Sequence, residues 1–205
     1  MAIEDYFGEL GEFKKKEKNG KHDGGWVQCR HAPTLICSLE GVQIYGASKS
    51  KVSYEELARV KADLLVNLTG YSVYSRNKIL KAGRRWASLQ RHFEQDRVEE
   101  IIIDWPDMGV INAGRQFWAD FFQLLKQNGY KNVVFFCIGG HGRTGTAVGS
   151  LMTVALDIHG GKAIKAIRSG YCKKAIESRT QEDYVRRMTS ARHPEAGEQK
   201  QGGGR

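Results

Sequence analysis

Long apolar runs and clustered cysteines are both missing from this sequence of 205 residues. No apolar run approaches the length of about 18 residues that a membrane-crossing helix requires. The first 24 residues contain no apolar core of the kind found in signal peptides. The four cysteines are too few and too scattered for the disulfide framework of a small secreted domain. We therefore expect a cytoplasmic protein with reduced thiols and no transmembrane segment.

Two common kinds of ligand site are also missing from the sequence pattern. The GxxxxGK[ST] motif of nucleotide-binding loops does not occur. Cys29, His31 and Cys37 lie close together in the chain, but a fourth ligand at a spacing suited to zinc does not accompany them. We interpret these three residues as structural, and we expect neither a metal nor a cofactor.

The charge of the chain is strongly one-sided. Lys and Arg number 32 against 23 Asp and Glu, which gives a net charge of +9 and a pI near 9.4. Such a field attracts anionic partners, including acidic phosphoproteins, nucleic acid and acidic membrane surfaces. The same basic residues can also simply solvate helix faces. The charge therefore predicts a negatively charged partner, but it does not distinguish a protein from a nucleic acid or a membrane.

Composition divides the chain into one domain and two polar ends. Residues 1–24 are polar, Lys-rich and punctuated by glycine, and residues 193–205 contain nothing to bury. We expect both ends to be flexible or disordered. Residues 25–192 contain the apolar positions of a single domain, in which we find no internal repeat.

Within that domain, short apolar runs alternate with amphipathic stretches. The predicted strands cover 26–30, 34–38, 42–45, 63–68, 98–104 and 133–136. The predicted helices cover 53–60, 76–93, 112–127, 146–158, 161–168 and 181–188. This alternation predicts an α/β fold with a central, largely parallel or mixed sheet flanked by helices.

The segment at 133–145, VVFFCIGGHGRTG, carries the clearest chemical signal. It joins an apolar strand to a helix through a glycine-rich turn, with Cys137 at the end of the strand and Arg143 six positions later. Glycines let successive backbone N–H groups converge on one anion, and the N-terminus of the following helix favours negative charge. A thiol in such a place is favoured as the nucleophilic thiolate. Arg143 offers a planar fork that can hold two phosphate oxygens.

The stretch at 137–145 resembles the signature loop of the protein tyrosine phosphatase superfamily. It consists of Cys137, Ile138, Gly139, Gly140, His141, Gly142, Arg143, Thr144 and Gly145. A second block, WPDMGV at 105–110, resembles the mobile acid loop of that family. The resemblance implies a phosphatase-like fold, with Cys137 as nucleophile, Arg143 as phosphate clamp and residues 138–143 as the phosphate-binding loop. It also implies that Asp107 is the general acid and that the hydroxyl of Thr144 stabilises the sulfur as a leaving group.

A third block, at 175–184, is similar to the segment that positions the hydrolytic water in this family. Gln181 matches the second of two family glutamines, and Glu177 replaces the first. Two further departures are Phe136, where most members have His, and Ile111, where many have Pro. A solvent-exposed role for Gln181 at the start of a helix remains open, as does Asp104 in place of Asp107.

The resemblance implies hydrolysis of protein phosphotyrosine in two steps through a phosphocysteine. The positive charge of the chain predicts that the phosphoprotein partner is acidic. Dual-specificity, RNA 5′-phosphate and phosphoinositide phosphatases share this chemistry and remain alternatives. Gly142 in place of Asn before the Arg disfavours RNA, and the lack of Lys inside the loop disfavours phosphoinositides. A phosphotyrosine-binding module without activity is a further alternative, although Cys137 and Asp107 are both present. His141 is expected to point outward from the loop, without a catalytic role.

Overall fold

A computed structural model describes residues 29–70, 90–92 and 98–192 of the chain. The predicted N-terminal segment 1–24 and the predicted tail 193–205 lie outside the described residues, as does most of the predicted helix at 76–93. Among the described residues, no helix is both long and apolar enough to cross a bilayer.

In the described residues, six strands form one central sheet in the order β1-β2-β6-β3-β5-β4. The strands are β1 (Thr34–Leu39), β2 (Val42–Ser48), β3 (Leu64–Asn67), β4 (Gln90–His92), β5 (Val98–Ile102) and β6 (Asn132–Cys137). The four inner strands run parallel, and the two edge strands pair antiparallel to their neighbours. The predicted mixed sheet is therefore confirmed.

Five α-helices pack on this sheet in the described part of the chain. They are α1 (Tyr54–Arg59), α2 (Arg115–Gln127), α3 (Gly142–Ala155), α4 (Gly160–Gly170) and α5 (Arg179–Arg187), and a short 3₁₀ turn covers Lys49–Lys51. Ser53 caps α1 by accepting a hydrogen bond from the backbone of Glu56, as its position before a run of helix formers predicts. Ser178 and Gln181 form a reciprocal capping box at the start of α5.

The core has two layers, one on each face of the sheet. Ile44, Val66 and Phe135 belong to the larger layer with residues of α2 to α5, and Leu65 and Phe136 belong to the smaller one with α1. Adjacent residues of a strand point to opposite faces, so each inner strand must be apolar on both sides. The continuous apolar runs of these strands follow from that requirement.

The register of the parallel strands brings their carboxyl ends to one edge of the sheet. Ser48 at the end of β2 pairs with Cys137 at the end of β6, and Asn67 at the end of β3 pairs with Phe136. Ligand sites of open α/β sheets lie beyond this edge. The loop that follows β6 therefore opens between the ends of two neighbouring strands.

Three predicted elements need correction. Cys29 and Arg30 are not in a strand, and residues 26–28 of that prediction lie outside the described part. Gln90–His92 is an edge strand paired with β5 and not the end of a helix, because pairing with the sheet overrides the weak helical pattern. Helix α3 begins at Gly142 and ends at Ala155, so it starts within the glycine-rich loop and not after it.

Candidate functional site

The loop after β6 places Cys137 at the bottom of a cleft. Cys137 is buried, and its Sγ accepts a hydrogen bond from the backbone N–H of Gly140 at 3.3 Å. At least one loop amide therefore faces the sulfur, as the sequence predicts for a loop that holds an anion.

Two carbonyl groups of the loop are held by residues from other parts of the chain. Ser48 Oγ donates to the carbonyl oxygen of Gly139 at 2.8 Å and accepts from the N–H of His31 at 2.6 Å. Tyr171 Oη donates to the carbonyl oxygen of Gly140 at 2.5 Å. Burial raises the pKa of Tyr171, and the nearby thiols raise it further, so its hydroxyl remains a donor. These bonds tie two carbonyls of the loop to side chains from other elements.

Gly140 is the residue on which the bend of the loop depends. Its φ is +79°, in the left-handed region, and a Cβ there would lie 2.7 Å from the carbonyl carbon and oxygen of Ala47. Any side chain would be both strained and in collision with the end of β2. The glycine predicted from the sequence pattern thus has a second cause, the close approach of two backbones.

Arg143 lies in the first turn of α3 and is buried. Its Nη1 donates to the carbonyl oxygens of Leu68 at 3.1 Å and Trp105 at 3.2 Å. Its Nη2 lies 3.1 Å from Oδ1 of Asp107. Backbone oxygens therefore anchor Nη1 of the guanidinium, and Nη2 faces Asp107 at the cleft.

Asp107 reaches the cleft from an exposed turn. Its side chain is 78% exposed, whereas Trp105, two residues earlier, is buried against Trp118 and Tyr184. Trp105 Nε1 donates to the carbonyl oxygen of Gly109 at 2.9 Å and so closes the turn. Asp104 is not among the residues that line the cleft, and its carboxylate lies beside Gly70. The geometry favours Asp107 over Asp104 as the acid.

Gln181 is fully buried, which contradicts the alternative of a solvent-exposed helix start. Its Oε1 accepts from the N–H of Glu177 at 2.8 Å and from that of Ser178 at 3.4 Å. Its Nε2 is buried without a hydrogen-bond partner among the described residues, as is Oγ1 of Thr144. Both groups are polar atoms available to a ligand or water.

His141 is expected to point outward from the loop, and its side chain is packed beside Glu177 and Gly139. Its side chain is only 11% exposed, and Nε2 lies 3.0 Å from Oε1 of Glu177. The imidazole folds back over Gly139, where a Cβ would lie 2.8 Å from Cε1. Glu177, which replaces a glutamine of the resembling family, thus supplies the carboxylate that His141 contacts.

The cleft has a volume of about 240 Å³. Of the predicted site residues, Thr144 and Gly140 are not part of its lining. The lining comprises Cys29, Asp107, Met108, Cys137, Ile138, Gly139, His141, Gly142, Arg143, Lys174, Glu177 and Gln181. The structure thus brings nucleophile, clamp and acid candidates to one cleft, and their catalytic roles remain predictions.

Sequence reasoning missed Ser48 and Tyr171, which hold the loop. Neither carries a local signal, because each lies far from the loop in sequence and meets it only through the fold. The strand register that pairs Ser48 with Cys137 is the feature that would have revealed Ser48.

Comparison with known sequences identifies relatives without an assigned function. No family model matches the chain. Two uncharacterised proteins of Methanocaldococcus jannaschii are 30% identical over 104 residues and 45% identical over 106 residues. Each match covers 50% of this chain, and the matches cover 66% and 61% of the relatives. The chain thus spans less than two thirds of the length of each relative.

Comparison with solved structures identifies the fold. The chain is similar to the active form of Tk-PTP, with 17% identity, a TM-score of 0.51, and 80% of this chain and 97% of the other covered. It is similar to DUSP15, with 15% identity, a TM-score of 0.56, and 79% and 90% covered. It is similar to human DUSP28, with 14% identity, a TM-score of 0.51, and 78% and 95% covered. The chain therefore has the fold of tyrosine and dual-specificity phosphatases.

Proposed function

We propose that this chain is a phosphatase that hydrolyses phosphate monoesters, foremost protein phosphotyrosine, through a phosphocysteine on Cys137. The observation that carries the proposal is the meeting of three groups at one cleft. Cys137 Sγ faces the Gly140 amide at 3.3 Å, and the guanidinium of Arg143 lies 3.1 Å from the carboxylate of Asp107. A nucleophile, an anion clamp and a proton donor are the set that phosphoryl transfer to sulfur requires.

In the first step, the thiolate of Cys137 attacks phosphorus while the bond from phosphorus to the tyrosine oxygen breaks. Loop N–H groups and Arg143 hold the phosphoryl oxygens as their charge redistributes. Asp107 gives its proton to the departing oxygen, which leaves as neutral tyrosine. The products are the dephosphorylated residue and phosphocysteine.

In the second step, water attacks phosphorus and the bond from sulfur to phosphorus breaks. Asp107, now a carboxylate, takes a proton from the water. The buried Nε2 of Gln181 and the buried Oγ1 of Thr144 support this step, since both are polar atoms with no other described partner. Gln181 would orient the water, and Thr144 would donate to the departing thiolate.

The side chains at the rim of the cleft favour an aryl phosphate over a phosphoseryl group as the substrate. Ile138 and Met108 both line the cleft, and they are 52% and 55% exposed. Large apolar side chains at the surface beside a polar floor suit a ligand whose ring is apolar and whose end is charged. A phosphoserine brings no ring to contact them.

The test is turnover of a small aryl phosphate by the parent chain and by Cys137→Ser. We expect turnover by the parent and loss of at least about 10⁴-fold in the variant, with binding of inorganic phosphate retained in calorimetry. If the variant hydrolyses the aryl phosphate at the parent rate, the nucleophile assignment is wrong. If the parent binds phosphate but has no turnover, the chain is a phosphate-binding module.

A panel of substrates then tests the substrate class. We expect kcat/KM for an acidic phosphotyrosyl peptide to exceed the values for a phosphoseryl peptide, a 5′-phosphorylated RNA and a phosphoinositide. Equal rates on the two peptides would indicate dual specificity. A preference for RNA or lipid would overturn the protein substrate.

A further inference from the structure

Four metal-ligating side chains converge beside the phosphate loop. They are Cys29, His31, His141 and Cys172, and one ligand atom from each lies within 4.8 Å of the others. Cys29 and His31 precede β1, His141 lies in the phosphate loop, and Cys172 follows α4. Three segments that are far apart in the chain thus deliver two thiols and two imidazoles to one place.

Both histidines have a buried nitrogen without a protein partner. His31 Nε2 and His141 Nδ1 make no hydrogen bond in the described part of the chain. Buried polar atoms are nearly always satisfied, so two such nitrogens in one cluster require an explanation. A bound cation would supply the missing partner for both.

The second nitrogen of His141 supports the same interpretation. His141 Nε2 lies 3.0 Å from Oε1 of Glu177. A histidine that binds a metal commonly donates its other ring N–H to a carboxylate, which fixes the tautomer and the ring orientation. Here the carboxylate leaves Nδ1 as the lone-pair nitrogen, and Nδ1 is the unsatisfied atom.

The donor set selects the kind of ion. Two thiolates and two imidazoles form the tetrahedral S₂N₂ set that favours zinc. Two thiolates also balance the charge of a divalent ion, so the occupied site would be neutral and tolerant of burial. Bonds of about 2.3 Å to sulfur and about 2.0 Å to nitrogen imply ligand separations of roughly 3.3–3.8 Å, so the atoms need to close by only about 1 Å.

We propose that Cys29, His31, His141 and Cys172 bind one divalent ion of the zinc class. Binding releases the two thiol protons to solvent, and the ion forms bonds to two thiolates and two neutral imidazoles. Cys37 takes no part, because it lies fully buried in β1 within the main core. The partners absent from the sequence pattern near Cys29 and His31 are supplied by His141 and Cys172.

The ion would connect the segment before β1 to the phosphate loop. The backbone of His141 lies within that loop, and its carbonyl oxygen accepts from Gly145 at 2.8 Å and from Ile176 at 3.3 Å. Fixing the imidazole therefore fixes the part of the loop from which α3 begins. Cys29 lines the same cleft as Cys137, so the ion would lie in the wall of that cleft. Metal binding requires no turnover, so this proposal and the proposed function can fail independently.

The decisive experiment is titration of the reduced chain with Co²⁺ in the Cys137→Ser background, where the cleft nucleophile cannot act as a ligand. We expect saturation at about one ion per chain, with visible d–d bands of tetrahedral cobalt and thiolate-to-cobalt charge-transfer bands. Zn²⁺ should remove both sets of bands and raise the thermal midpoint of unfolding. Cobalt spectra without thiolate bands or without tetrahedral d–d bands would overturn the site.

Variants then identify the ligands by competition with a chromophoric chelator. Cys29→Ser, Cys172→Ser and His31→Ala should each weaken Zn²⁺ binding by more than about 100-fold, and Glu177→Gln by roughly 10-fold to 100-fold. The controls are Cys37→Ala and His159→Asn, which remove a cysteine and a histidine outside the cluster and should leave the affinity unchanged. The exposed position of Glu177 keeps the test usable if a ligand variant fails to fold.

The same two sulfurs define the competing chemistry. A disulfide between Cys29 and Cys172, combined with no cobalt binding after full reduction, would overturn the metal site in favour of a redox pair. Unchanged zinc affinity in both Cys29→Ser and Cys172→Ser would overturn it as well.

Discussion

The proposed phosphate loop at 137–145 and the proposed acid loop at 105–110 meet at one cleft, but the protein holds them in different ways. In the first of these loops, the carbonyls of Gly139 and Gly140 are bonded to side chains from other elements, and a Cβ at Gly140 would collide with the backbone of β2. In the acid loop, Asp107 and Met108 are mostly exposed. Side-chain hydrogen bonds also hold the backbone of this loop. Arg143 donates to Trp105, Trp105 to Gly109 and Ser178 to Met108, and Asp107 accepts from Met108.

The difference follows from what each loop must do in the proposed reaction. Stabilising charge on phosphate requires donors that are already in place, since reorganisation during the reaction costs free energy. Delivering a proton and then receiving one requires a group that reaches both the leaving oxygen and water. A buried loop that is braced by other elements suits the first task, and a turn whose acid is exposed suits the second.

Replacement of Arg143, the proposed phosphate clamp, should have the largest effect on activity. We expect Arg143→Lys to lower kcat/KM for an aryl phosphate by roughly 10³-fold, because an ammonium cannot hold two phosphate oxygens in a planar fork. Steady-state kinetics measure the effect. Arg115→Lys is the matched control, since Arg115 bonds Asp157 and Met188 and none of these three residues lines the cleft. An equal fall in both variants would mean that the guanidinium of Arg143 has no special role.

Replacement of Gly140, at the bend of the loop, should have the next largest effect on activity. We expect Gly140→Ala to cost about 3 kcal/mol of unfolding free energy, from left-handed strain and collision with Ala47 together. Activity should fall by roughly 10²-fold in protein that remains folded. Denaturant unfolding and kinetics measure the two effects.

The control separates strain from collision. Gly129 has a φ of +71°, but apart from its two chain neighbours no residue has an atom within 4 Å of the position that an added methyl group would take. Gly129→Ala should therefore cost only about 1 kcal/mol. If both variants lose the same stability, the close approach of Gly140 to β2 contributes nothing.

The contrast between the loops also explains what the sequence could predict. The strand, the glycines, Cys137 and Arg143 form one continuous stretch, so the phosphate loop was predictable from local pattern and chemistry. Asp107 was predictable only through resemblance, because a Pro-Asp turn by itself is an ordinary surface feature. The inner parallel strands were predictable from their apolar runs.

Features created by contacts across the fold were not predictable. Ser48 and Tyr171 become supports of the loop only when β2 and the end of α4 reach it. Gln90–His92 is a polar stretch that becomes a strand by pairing with β5. His141 was expected to point outward because the side chains of an anion-binding loop mostly do so, and nothing near it in sequence predicts its contact with Glu177.

Replacement of the acid should have an effect that depends on the leaving group. We expect Asp107→Asn to slow phosphotyrosine hydrolysis by about 10²-fold, and to slow esters of more acidic phenols less, because those leave without a proton. Unfolding free energy should change by less than about 0.5 kcal/mol, since the side chain is exposed. Rates across a series of aryl phosphates give the measurement. Asp104→Asn is the control, and a steeper leaving-group dependence in that variant would reassign the acid to Asp104.

The smallest effect should come from loosening the acid loop without removing the acid. Trp105→Phe keeps an aromatic ring between Trp118 and Tyr184 but removes the hydrogen bond to Gly109. We expect kcat for phosphotyrosine to fall by a factor of about 3 to 10, because Asp107 then spends less time at the cleft. Trp118→Phe removes a similar buried bond, from Trp118 to Tyr184, so both variants should lose about 1–2 kcal/mol of stability. Only Trp105→Phe should slow the step in which Asp107 gives its proton to the leaving oxygen. An equal loss of kcat in Trp118→Phe would show that general core packing, and not the bond to Gly109, sets the position of Asp107.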